Sequence, residues 1–229
     1  MEKVRYLSRS IMKYNVFMLF VASMLLATSG CSTSSLYRIV TGDVPEDSNP
    51  AEPLRKLNPN PQHAYKIRVI LKNQSVDFQE VKGVAQFDVV NNQCGKIQHL
   101  SGVPPRITSN EPFKMTKISE GEYVGTMYSD MLLDGDYYKK GVCKWKLTEV
   151  RVVFSNTVDG KRTGFLADLD GELVQNQGGS TKYYWNGYNL RSLRSPQFTD
   201  FGMKDLNEVP ENRKHEFFTI SISSKMIKK

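Results

Sequence analysis

Residues 141–156 read GVCKWKLTEVRVVFSN, the longest β-rich run in the chain. Cys143, Trp145 and Leu147 share one parity with Lys144 and Lys146 between them, so a strand here buries one face and wets the other. The pattern then changes phase, because Val150, Val152 and Phe154 resume on the opposite parity. One inserted residue returns both halves to the same face, and the spacing predicts a β-bulge near Thr148 and Glu149.

Working outward, Asp159-Gly160 is a hairpin signal ahead of a strand over residues 162–168. Upstream, Tyr65, Ile67, Val69 and Leu71 alternate with Lys66, Arg68 and Lys72, and Ala85, Phe87 and Val89 alternate with Gln86 and Asp88. Asn91, Asn92 and Gly95 mark a turn around Cys94, and Pro104, Pro105 and Pro112 enclose a loop. Strands are expected at residues 113–118 and 123–128, joined by Ser119-Glu120-Gly121, and Phe218, Ile220 and Ile222 close the chain with another. Helical signals are scarce, since no amphipathic stretch longer than about ten residues holds the 3.6 period. The expected fold is all-β: an antiparallel β-sandwich over residues 63–229, long enough for a single core. A pair of cysteines beside Trp145 resembles the packing of immunoglobulin domains and implies an immunoglobulin- or transthyretin-like architecture. The order and spacing of Cys94, Cys143 and Trp145 do not match the immunoglobulin signature, so the expectation extends to architecture alone.

The N-terminus has a different character. Lys3, Arg5, Arg9 and Lys13 precede an apolar run over residues 16–26, which is about 16 Å long as a helix and too short for a bilayer core of about 30 Å. Ala27, Thr28, Ser29 and Gly30 follow, then Cys31, which is the layout of an export signal ending on a cysteine. This segment resembles the lipobox of bacterial lipoproteins, with Thr28 standing where Leu is usual. The resemblance implies cleavage after residue 30, diacylglycerol on the Cys31 thiol and an acyl chain such as palmitate on its new amine. Ser32, rather than Asp, after the cysteine implies sorting to the outer membrane, with the domain facing the periplasm. An ordinary cleaved signal with an incidental cysteine, or an uncleaved membrane anchor, is the alternative. Residues 31–62 are polar and turn-rich with five of the ten prolines, and are expected to form a flexible membrane tether.

With Cys31 assigned to lipid, Cys94 and Cys143 remain as an even pair in an exported chain, and a disulfide between them is expected; two separate buried thiols are the alternative. Without the signal, the 31 basic residues fall to 27 and the 24 acidic ones to 23, so the net charge drops from +7 to +4. That balance does not point to nucleic acid. His63, His99 and His215 lie far apart and outside any catalytic or zinc motif, so neither an enzyme nor a metal or cofactor site is expected. Asp168-Leu169-Asp170-Gly171-Glu172 has oxygen ligands but reads better as a turn leaving a strand.

The most informative stretch for binding is 182–194, KYYWNGYNLRSLR, which contains no acid. Tyr183, Tyr184, Trp185, Tyr188, Arg191 and Arg194 are the residue types that dominate binding hot spots, and they are the candidates for a partner contact. An equally concrete reading makes the aromatics alternate core residues of a strand. The overall layout resembles that of periplasmic immunity lipoproteins, which implies an inhibitor of a toxic secreted effector. A structural or assembly lipoprotein of an envelope or secretion complex is the alternative, and a cell-envelope enzyme the third.

Overall fold

In a computed structural model of the chain, residues 53–95, 106–189 and 197–228 are described. They form a β-sandwich of two five-stranded sheets. One sheet has the order β4-β5-β1-β10-β8, with β4 Met115–Ser119, β5 Glu122–Tyr128, β1 Ala64–Lys72, β10 Phe217–Met226 and β8 Gly179–Trp185. The other has the order β3-β2-β6-β7-β9, with β3 Thr108–Phe113, β2 Glu80–Val89, β6 Trp145–Val158, β7 Lys161–Asp170 and β9 Gln197–Asp200. The expected antiparallel β-sandwich is present, with every pairing antiparallel except β7 with β9, which is parallel. A five-residue helix α1, Gly171–Gln175, follows β7 where the acidic turn was expected.

Alternation builds the core. Ile67 and Val69 of β1 are fully buried, as are Val150, Val152 and Phe154 of β6. Phe165, Phe218 and Tyr184 pack edge to face or tilted, with Phe165 and Phe218 at 5.1 Å between centroids, a geometry that suits the ring quadrupoles. The bulge lies at Thr148, since Gln86 faces Glu149 and Phe87 faces Leu147, leaving Thr148 as the extra residue. Its hydroxyl donates to the buried carboxylate of Asp88, which also receives Arg106 Nε at 2.8 Å and Nη2 at 2.6 Å. Asp159 and Gly160 both have positive φ, +50° and +71°, the two-residue turn that matches the twist of β6 and β7.

Two expectations are corrected. The loop ending at Pro112 is strand β3, in which Pro112 is tolerated because β3 is an edge strand with one side free of ladder bonds. At Lys114 the chain then leaves that sheet and enters the other as β4. Residues 53–62, expected in the tether, lie on the sandwich. Asn58 donates its amide to Met131 O at 2.7 Å, and Asp130 accepts the amides of Gln62 at 2.8 Å and His63 at 3.0 Å. The segment has little to bury, but its backbone polar groups find fixed partners in a distant turn. The signal, Cys31 and residues 31–52 of the tether lie outside the described residues.

Cys94 and Cys143 are joined by a disulfide, with Cα atoms 5.3 Å apart and 49 residues between them in sequence. It closes one end of the sandwich, the end at which β1 begins: Gly135 bridges Cys143, Asp134 accepts the Trp145 amide, and Leu57 bridges Leu132. The nine residues of β1 span about 25–30 Å from there to the opposite end.

Candidate functional site

At that opposite end, the last residues of β8 meet the first of β10, with Trp185 opposite Phe217 and Tyr183 opposite Thr219. Strand parity sorts the aromatic run. Tyr184 points inward, fully buried, and its hydroxyl donates to Leu166 O at 2.7 Å. Tyr184 is thereby corrected from contact candidate to core residue, because its ring fills the space between Phe165 and Phe218. Tyr183 and Trp185 take the other face and are half-buried, and Tyr188 joins them from the short 3-10 turn Asn186–Asn189. Arg191 and Arg194 lie outside the described residues. Lys182 turns away from this face, forming an ion pair with Asp168 and donating to Phe201 O at 3.2 Å.

Tyr183, Trp185, Tyr188 and Phe217 line an open groove of about 600 Å3 whose far wall is Met203, Val209 and Pro210. Trp185 and Tyr188 meet edge to face at 5.1 Å, and Tyr188 lies 4.6 Å from Phe198 of β9. The indole N–H of Trp185 donates to Glu216 Oε2 at 2.7 Å, and the Arg213 guanidinium grips the same carboxylate at 2.9 and 2.8 Å. Those Arg213 bonds, followed by the indole bond, hold the Glu216 carboxyl down at about 2, so it is ionised and keeps Trp185 oriented at neutral pH.

Asp200 forms part of the lining, and burial pushes its carboxyl above the usual range although the amides of Gly202 and Trp185 pull the other way. Gly202 has φ of +67°, and a Cβ there would come within 2.6 Å of the Tyr184 ring, so glycine is required where the chain turns from β9 toward β8. Met203 then exchanges backbone hydrogen bonds with Tyr183, both at 2.9 Å, which fixes the groove wall to the edge of β8.

This chain matches no protein-family model, no curated protein and no solved structure. The chemistry of the groove is therefore read from its own residues. It offers rigid aromatic faces, two carboxylates in Asp200 and Glu208, and one guanidinium at the rim. Such a lining can meet another molecule through both apolar and charged groups. Sequence reasoning missed the whole wall between residues 200 and 217. Phe217 was the one legible member, since the alternation that buries Phe218, Ile220 and Ile222 places Phe217 on the other face.

Proposed function

We propose that this chain is a lipid-anchored periplasmic binding protein, held at the membrane through Cys31, whose groove at the Trp185 end engages a protein partner. The observation that carries the reading is the pair Trp185 and Tyr188, held by Glu216, by Phe198 and by each other, beside Phe217 in a groove of about 600 Å3. Large aromatic side chains already fixed by their neighbours lose little entropy on binding, which is the property that makes Trp and Tyr anchors in interfaces. Within this reading the partner is a toxic secreted effector and the protein an immunity-type inhibitor that covers the effector's working surface.

The test is affinity capture with the membrane-anchored protein and with Tyr188→Ala, whose ring contacts Trp185 and Phe198 at the surface. Wild type is expected to capture a soluble enzyme as a one-to-one complex and to abolish its activity, and the Ala variant to weaken that complex at least tenfold while melting within a few degrees of wild type. Capture of membrane assembly components, with mislocalisation of those components when the chain is deleted, would replace the inhibitor by the structural or assembly lipoprotein. Purified protein that itself cleaves peptidoglycan or lipid would make it an enzyme.

A further inference from the structure

The end of the sandwich that carries the disulfide has a surface the groove does not use. Leu54 donates its amide to the Tyr138 hydroxyl and Lys56 donates its own to the Tyr137 hydroxyl, each at 3.2 Å. Both tyrosines pack on the small cluster of Val89, Cys94, Ile107 and Cys143. The covalent path toward Cys31 therefore leaves the folded domain beside this disulfide. Around the disulfide, three apolar side chains project into solvent: Leu54 is 52% exposed, Val90 59% and Val142 50%. Two of them sit on fixed backbone. Val90 donates to Lys144 O at 2.9 Å, while the Asn91 amide group spans Val142 O and the Lys144 N–H, each at 2.8 Å.

Exposed lysines interleave with these side chains: Lys56, Lys139, Lys140 and Lys144. Among the described residues none of the four has an ion pair. The two acids of the same loop are turned to backbone instead, Asp134 accepting the Trp145 amide and Asp136 those of Lys140 and Gly141.

We propose that this end is a membrane-docking surface for anionic phospholipid headgroups, with Lys139, Lys140 and Lys144 against the phosphates and Val90 and Val142 at the headgroup boundary. The occupant follows from charge complementarity and from the position of the chain's link to Cys31, and to that extent the proposal rests on the lipid-anchor reading. Unpaired lysines beside exposed apolar side chains are the combination by which proteins lie on a charged bilayer surface. The docked domain presents the Trp185 groove away from the bilayer, about 25–30 Å further out.

The experiment uses residues 32–229, which contain both sheets and the disulfide and lack acylated Cys31. This protein is sedimented with vesicles of phosphatidylcholine alone and of phosphatidylcholine mixed with phosphatidylglycerol. The expected result is partition onto the phosphatidylglycerol vesicles only, weakened by salt. It should fall on the order of 100-fold in the triple variant Lys139→Gln, Lys140→Gln, Lys144→Gln, since each cation near such a surface contributes roughly a fivefold preference. Val142→Asp should also weaken it with every lysine in place, whereas Tyr188→Ala should leave it unchanged. Melting curves and thiol titration establish that each variant is folded and oxidised. No partition, equal partition onto both vesicles, or partition unaffected by these substitutions overturns the proposal. Intact mass of the membrane-extracted full chain tests acylation of Cys31 separately, so the anchor and the docking surface succeed or fail independently.

Discussion

Tyr184 and Trp185 are adjacent in sequence and lie on opposite faces of one strand, and that single step separates a core residue from a groove-lining one. The strand is short enough that the residue types alone fit either face. A different single residue holds the far end of the fold. Asp88 is almost fully buried, and burial pushes its carboxyl upward. Hydrogen bonds from Arg106, Thr108, Thr148 and Gln86 together outweigh that cost and hold it at about 2, against an ordinary 3.8. A carboxyl lowered by folding stabilises the native state above its unfolded value, and the contribution disappears as pH falls through the folded one. The predicted window is therefore from pH 3.8 down to about 2, and the shift corresponds to about 2 kcal/mol. Asp88→Asn should lose a similar amount at neutral pH and show a flatter profile across that window. Urea unfolding of both proteins at several pH values measures this, and parallel profiles would contradict the assignment.

At the scale of elements, the bulge at Thr148 is the device that lets β6 carry two hydrophobic phases on one buried face. Deleting Thr148 should leave a regular strand in which Leu147 and Val150, now two positions apart, keep the same buried face and the same partners on β2, so the disulfide should survive and thiol titration of the variant should find no free cysteines. Thr148→Ala keeps the residue count and should keep the disulfide, at a loss of about 1 kcal/mol for the hydroxyl's hydrogen bonds. The bulge was legible in the sequence because side chains on both sides of it keep strict alternation. The same holds for β1, for the turn at Asp159 and Gly160, and for β10. Strands β3 and β9 were not legible. The first contains Pro112 and few apolar residues because it is an edge, and the second is four residues long and takes its register from a parallel pairing with β7. Residues 53–62 and the groove wall were hidden for a related reason: backbone partners far along the chain order them, and such partners leave no periodic trace.

At the scale of the molecule, the disulfide and the groove occupy opposite ends. In the chain-entropy account, opening a loop of 49 residues costs about 4 kcal/mol of stability, so Cys94→Ser with Cys143→Ser should lower the urea midpoint well below wild type. The two tryptophans report the ends separately, since Trp145 packs on the disulfide cluster and Trp185 lines the groove. Fluorescence of the Trp185→Phe protein should change when the bond is reduced, while that of Trp145→Phe should not. A change at Trp185 would mean that the two ends are coupled through the sheets.

The position of β1 has a mechanical consequence. It lies between β5 and β10, with hydrogen bonds along both sides, and the chain enters it directly from residues 53–62. A pull between that N-terminal lead and a molecule gripped at the far end runs parallel to the strands. Bonds perpendicular to such a load are sheared together, whereas a load across the strands would unzip them one at a time. The topology thus suits a domain that is restrained from one tip and tugged from the other.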